Sequence, residues 1–404
     1  TGLNFSTLGV FLTVFTLFLD FMKRRRKWSR YPPGPVSLPF IGTMLYIDFQ
    51  NPHHSFKQLH KKFGNIFSLQ NCWTNMVVLN GYKAVKEALV HRSEDFADRP
   101  LVIAQLIAWC PFPFLGRRSI CRFYRFDYDD ETFKKLLHLF ENLVNVVPIL
   151  LRIPGVPQKV FRGQKEFMDF IDVLIKKHME TWNPADIRDF TDAFLKEMEK
   201  AEKSGFNYNN LRLVTTTSIT LRWALLYILL HPEIQSKVQA EIDNVIGRER
   251  SPTMEDQVNM PYTNAVIHET QRLGDVFPTG LPHMTYRDTE LQGFFIPKGT
   301  TIITNLSSVL KDETVWEKPN EFYPEHFLDA NGQFVKPEAF LPFSAGRRVC
   351  LGEQLARMEL FIFFTTLLQK FTFVLPKDQP RPQEDGHFAL TRSPHPFLLQ
   401  AIPR

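Results

Sequence analysis

The first thirty residues divide this chain into two chemically different parts. From Leu3 to Met22 the sequence is mostly apolar, with Asp20 its single charge. About twenty such residues in a helix reach roughly 30 Å, enough to cross the hydrocarbon core of a bilayer. Lys23, Arg24, Arg25, Arg26, Lys27 and Arg30 follow at once. Basic residues flanking a span stay on the cytosolic side, so the rest of the chain is expected to face the cytosol. A cleavable leader would carry its charges ahead of the apolar run and small residues after it, the reverse of the order here. Residues 1–22 therefore read as a transmembrane anchor and 23–35 as a basic stop-transfer with a hinge. The hinge is Tyr31-Pro32-Pro33-Gly34-Pro35, a stiff extended segment that cannot be helical. No repeat or second linker of this kind follows, so residues 36–404 read as one large catalytic unit.

The charge of that unit narrows its partners. The six basic residues of the opening block against Asp20 account for the whole net charge of +5, and the remainder is balanced. A basic surface for nucleic acid is therefore disfavoured. The four cysteines, Cys72, Cys110, Cys121 and Cys350, show no CxxC or Cys/His zinc spacing, and so few in 404 residues cannot form a disulfide scaffold. They are expected to be reduced thiols. Phe is abundant, 38 copies against 10 Tyr and 6 Trp, which points to a large apolar interior or an apolar ligand cavity.

Apolar spacing predicts helices over 131–145, 158–180, 189–203, 209–230, 233–246, 261–273 and 353–371. Strand signals are short: 75–80, and 293–305, where Pro297-Lys298-Gly299 is expected to turn a hairpin between FFI and TTIIT. Residues 312–342 carry little periodicity and read as a long meander. The expected class is mainly α with a small β-sheet portion.

Nucleotide-loop, zinc-protease and serine-hydrolase signatures are absent: no GxGxxG, GxxxxGK[ST], HExxH or GxSxG occurs. One segment carries chemistry, Phe343-Ser-Ala-Gly346-Arg-Arg348-Val-Cys350-Leu-Gly352, with a long apolar helix behind it. Its glycines allow a tight turn and close approach to a flat cofactor. Cys350 precedes the helix, where free N–H groups and the positive dipole end favour an anionic sulfur. Phe343 can shield the sulfur from water, and Arg348 can pair with a carboxylate.

FxxGxRxCxG resembles the haem-binding signature of the cytochrome P450 superfamily. Glu269-Thr-Gln-Arg272 is similar to the family's ExxR pair, two side chains one turn apart on a helix. Phe322-Tyr-Pro324-Glu325-His326-Phe327 is similar to its PERF stretch, with His326 where Arg is commoner. Residues 205–404 look most like family 2, subfamily D. The resemblance implies the P450 fold and haem b (iron protoporphyrin IX) on the Cys350 thiolate, which favours O–O cleavage. It implies cofactor contacts from Phe343 and Gly346, propionate contacts from Arg348, His283 and Arg99, and a structural brace of Glu269, Arg272 and His326. It implies a monooxygenase of the endoplasmic reticulum membrane. Such an enzyme takes electrons from NADPH through NADPH–cytochrome P450 reductase and inserts one atom of O₂ into a small lipophilic substrate such as a xenobiotic, fatty acid or steroid.

Two departures stand beside the resemblance. The chain is about a fifth shorter than a usual member, with the loss concentrated between Pro100 and Asp127, where the family carries its C and D helices and a WxxxR motif. In the central helix, where the family has Ala-Gly-x-x-Thr, this sequence reads Asn210-Leu-Arg212-Leu213-Val-Thr215-Thr216-Thr217, with Leu213 at the Gly position. Thr216 then corresponds most nearly to the catalytic, proton-relaying Thr, while a β-branched packing face is an equal reading of the same run. The alternative to an active enzyme is therefore a shortened isoform or pseudoenzyme that lacks turnover.

Overall fold

In the computed structural model, residues 31–38, 42–48, 52–71, 74–100, 215–388 and 391–404 are described, with Glu180 and separate positions between 9 and 19. The helices predicted over 131–145, 158–180 and 189–203, and the missing WxxxR region, lie outside these residues apart from Glu180. Most of the predicted anchor does too; Gly9, Phe11, Thr13–Thr16, Phe18 and Leu19 are helical within it. Among the described residues no helix is long and apolar enough to cross a membrane.

The described helices are α1 (Pro52–Phe63), α2 (Gly81–Lys86), α3 (Thr215–Leu230), α4 (Pro232–Val245), α5 (Pro261–Gly274), α6 (Leu306–Leu310) and α7 (Glu353–Lys370). The strands are β1 (Ile66–Asn71), β2 (Thr74–Leu79), β3 (His283–Met284), β4 (Thr289–Leu291) and β5 (Phe294–Ile296). They continue with β6 (Thr301–Thr304), β7 (Phe371–Val374), β8 (Gly386–Phe388), β9 (Arg392–Pro394) and β10 (Gln400–Pro403). The chain forms two compact units that exchange segments. The first takes 1–100, 278–315 and 343–349; the second takes 101–277, 316–342 and 350–404.

The first unit holds a four-stranded sheet in the order β1-β2-β6-β3. β1 and β2 pair antiparallel, β2 and β6 run parallel, and β3 closes antiparallel on β6. Phe56 and Leu59 of α1 pack on Phe67, Leu69, Val78 and Ile303, which gives this unit its own apolar core.

The expected 293–305 hairpin does not form. β5 pairs with β4, not with β6. Gln292 and Gly293 both adopt positive φ, 48° and 84°, the geometry that closes a two-residue hairpin without splaying its strands. All four residues of β6 are buried, so its apolar side chains need cover on both faces and the strand takes an interior place between β2 and β3.

The second unit is helical. α4 and α5 begin at Pro232 and Pro261, each at a position where the missing N–H costs nothing. Trp223, Tyr227 and Ile228 of α3, Val238 and Ile242 of α4, and Leu360, Phe361, Phe364 and Leu368 of α7 form its core. α7 ends where Phe371 turns extended to enter β7, which pairs with β10. The meander over 312–342 holds one short 3₁₀ turn, Pro324–Phe327, among otherwise irregular backbone.

Candidate functional site

The ExxR pair is the most tightly built part of the second unit. Glu269 and Arg272 lie three apart on α5, and both side chains are fully buried. The guanidinium grips the carboxylate with two parallel bonds, Nε to Oε2 and Nη2 to Oε1, each 2.7 Å. Such a planar fork is the arrangement in which a buried ion pair offsets its desolvation. The remaining Arg272 donors reach the carbonyls of Pro319 (2.8 Å) and Glu321 (2.9 Å), while Trp316 lies 5.1 Å from the guanidinium carbon. Glu269 also accepts the Tyr323 N–H at 2.9 Å.

His326 joins this network with a fixed tautomer. Its Nε2 accepts the Lys318 N–H at 3.1 Å, so the ring proton sits on Nδ1, which donates to Glu269 Oε2 at 3.3 Å. α5 is thereby tied to the meander at 318, 319, 321, 323 and 326. The structure brings together the predicted brace of Glu269, Arg272 and His326. Composition offered no hint of the backbone carbonyls and Trp316 that complete it.

In the first unit, Arg348 donates through Nε to the Ala97 carbonyl at 2.6 Å. Arg99 donates to the carbonyls of Leu281 (2.7 Å) and Pro282 (2.8 Å). Burial, with Arg348 adding to it, pulls the Arg99 guanidinium down to about 10. Among the described residues no carboxylate pairs with either Arg99 or Arg348. His283 is buried beside them, and burial, then Arg99, push its imidazole down to about 4, with Arg348 contributing less and the Phe96 carbonyl opposing. Its Nδ1 meets that carbonyl at 2.9 Å and so must carry the ring proton. Nε2 is then an acceptor, and the ring donates to an anion there only after taking a second proton. Gly346 has φ +71°, and a Cβ there would strike the Leu89 carbonyl, so glycine is required for backbone reasons alone.

Cys350 opens the last segment of the second unit and is solvent-exposed, and Leu351 beside it is fully so. The expected lowering of its thiol by the helix N-terminus is outweighed. Desolvation by the surrounding protein pushes it up first; the Gly352 N–H lowers it, and the Glu353 carboxylate raises it again. An anionic sulfur here therefore calls for a cation bound to it. Thr216 is exposed on the first turn of α3, whereas neighbouring Thr217 is buried. Thr217 lies beside Glu359, whose carboxyl burial pushes up to about 7 against a smaller opposing effect of the Thr217 hydroxyl. Glu359 escaped the sequence reading, although an acid flanked by Met, Leu and Phe in an apolar helix is itself the signal. Phe343 is half-buried. Leu213 lies outside the described residues.

Each unit offers part of what a metalloporphyrin binds: in the second an exposed thiol, a soft ligand for iron, and in the first Arg99 and Arg348, which have no carboxylate partner among the described residues and can serve as counter-charges.

The cytochrome P450 family model matches residues 32–112 and 102–401, breaking where the chain is expected to be short. The chain is 48% identical to cytochrome P450 2D6 of Homo sapiens over 489 aligned positions, covering 98% of each chain. It is 48% identical to cytochrome P450 2D14 of Bos taurus, covering 100% of this chain and 99% of the relative. It is 47% identical to cytochrome P450 2D4 of Rattus norvegicus over the same shares. The human alignment spans 489 positions against 404 residues here, so at least 85 of them have no residue of this chain. With its signature cysteine, its buried Glu–Arg pair and this identity over almost its whole length, the chain belongs to the cytochrome P450 monooxygenases, family 2, subfamily D.

Proposed function

We propose that this chain is a membrane-anchored haem-thiolate monooxygenase, with Cys350 as the proximal iron ligand and Arg99 and Arg348 as the propionate anchors. The observation that carries the reading is a pair of guanidiniums in the first unit that have no carboxylate partner among the described residues, the second of them two residues before the exposed thiol. Gly346 shapes the loop, Phe343 shields the sulfur, and Glu269, Arg272 and His326 fix the meander before it. His283, its neutral ring fixed by the Phe96 carbonyl, stands beside these guanidiniums as the third predicted propionate neighbour. When bound, haem supplies O₂ activation: one oxygen atom enters the substrate and the other leaves as water. Two electrons come from NADPH through its P450 reductase, and Thr216, exposed on α3, holds a proton for delivery.

Residues 3–22 anchor the chain in the endoplasmic reticulum membrane, and the body faces the cytosol because of the basic block behind them. The Phe-rich composition supports small lipophilic substrates: xenobiotics, fatty acids or steroids.

A second reading, haem capture without turnover, is favoured by the positions of the human relative that have no counterpart here and by Leu213 at the family's Gly position. A reduced carbon-monoxide difference spectrum and NADPH-dependent turnover with added reductase separate the two. A thiolate-type Soret band with turnover supports the enzyme, and a band without turnover supports the second reading. Absence of the band, or its survival in Cys350→Ala, overturns the ligand assignment.

A further inference from the structure

We propose that Asp385, His387 and His395 form a binding site for one divalent transition-metal ion of the zinc class on the outer face of the β8–β9 hairpin. β8 and β9 pair antiparallel, with Gly386 opposite Pro394 and His387 opposite Ser393. Side chains alternate along a strand, so Asp385 and His387 share one face, and the cross-strand positions 393 and 395 lie on the same one. The opposite face is packed, and Ser393 on the first face is buried as well. A Cβ on Gly386 would meet the ring of the fully buried Trp223 at 2.7 Å, and Pro394 is buried.

The spacing of the two imidazoles fits a shared ion. Their ring centroids are 5.7 Å apart, with planes at 44°. A zinc–nitrogen bond of about 2.0–2.1 Å places the metal roughly 3.2 Å from each ring centre, so two rings on a tetrahedral ion stand about 5–6 Å apart. Asp385 Oδ1 lies 4.0 Å from His395 Nε2. Two ligand atoms on one tetrahedral zinc are about 3.4 Å apart, so a small rotation of this exposed carboxylate completes a third bond. Among the described residues no three His, Cys, Asp or Glu side chains are arranged to hold a metal ion as they stand, these three included, so the carboxylate must move for the site to form. The two rings therefore seat the ion, Asp385 closes on it, and water fills the fourth place.

Charge around the site acts in both directions. Arg222, which donates to the Pro394 carbonyl at 3.1 Å, opposes a cation but also helps hold His387 unprotonated, after burial and His395. Arg392 faces inward over Trp223, 4.7 Å from its ring, and Glu384 is engaged by Arg381. A bound ion would link Asp385 and His387 to His395, clamping the open end of the hairpin over Trp223. The site uses none of the residues assigned to haem.

Titration of the purified full-length chain with zinc chloride by isothermal calorimetry tests this. The expected result is one 1:1 event, weakened about tenfold or more in His387→Ala and separately in His395→Ala, and by a smaller factor in Asp385→Asn. No such event in the parent chain, or an isotherm unchanged by both alanine variants, overturns the proposal. Should either alanine variant lose its circular dichroism, His387→Gln and His395→Gln, which keep most of each side chain's volume, supply the same test: zinc binding weakens about tenfold or more in both if the site is real and is unchanged in both if it is not.

Discussion

Replacing Arg272 with Met preserves most of its volume and removes every polar contact it makes. Glu269 then loses two bonds of 2.7 Å and, among the described residues, keeps only the Tyr323 N–H and the His326 ring. The carbonyls of Pro319 and Glu321 lose their donor in the same step. Breaking a fully buried ion pair from one side costs about 3–5 kcal/mol, because a charge is left without its partner. The orphaned carbonyls push the expected loss for Arg272→Met toward the upper end, about 4–5 kcal/mol. Equilibrium denaturation in guanidinium reads this directly, and Trp316, 5.1 Å from the guanidinium carbon, provides fluorescence from the site itself. Glu269→Gln keeps the shape and loses only the charge. In the double variant, the two losses should fall short of their sum by about 2 kcal/mol, within the range of directly bonded groups. An Arg272→Met loss below about 1 kcal/mol, or strict additivity, would show that the pair is structurally idle.

Gly346→Ala combines a positive φ with a steric collision at the Leu89 carbonyl, and should cost about 1–3 kcal/mol and lower haem content in purified protein. Arg348→Gln removes one of two guanidiniums without a carboxylate partner, and should speed haem transfer to apomyoglobin while leaving far-ultraviolet circular dichroism unchanged. Equal transfer rates would exclude it as a propionate anchor. Glu359 binds its proton more tightly folded than unfolded, since burial raises it from 4.5 to about 7. Its contribution is therefore full below about pH 4.5 and is lost as pH rises toward 7, by at most about 1.4 kcal/mol per pH unit. Glu359→Gln should flatten that slope in denaturation series from pH 5 to 8, and a slope identical to the parent's would refute it.

The elements legible in the sequence were those with a local cause. α4, α5 and α7 lie within a residue of their expected ends because Pro232, Pro261 and the turn after Gly352 fix where each starts. The cysteine loop and the Glu–Arg pair were legible for the same reason: their chemistry is set by spacing within a few residues. β1 was not, although Phe67-Ser68-Leu69-Gln70 alternates apolar and polar as a half-buried strand does: so short a run stands out only once β2 pairs with it. β6 was placed in the wrong partnership because its partner β2 lies more than two hundred residues earlier. Local turn signals around Pro297 carry no information about that contact. The rise of the Cys350 thiol was hidden as well, because desolvation depends on neighbours that tertiary packing brings in, whereas the helix dipole is local.

The substitution of His326 at a place where the family more often carries Arg changes the charge balance of the brace. With Arg there, two guanidiniums would share the one buried carboxylate of Glu269, leaving an excess positive charge. The His326 ring instead accepts from Lys318 N–H and donates to Glu269, so a neutral group satisfies both its nitrogens. One cation and one anion are then buried together, and Arg272 also donates to the carbonyls of Pro319 and Glu321. His326→Arg should therefore not act as a repair toward the commoner sequence. The longer side chain must displace the Lys318 N–H contact and find solvent or carbonyls for its extra donors, at a cost of about 1–3 kcal/mol. A variant at least as stable as the parent in guanidinium denaturation would show that Tyr323 and the meander have room to re-form around a second guanidinium, and that the tautomer-locked histidine contributes nothing specific.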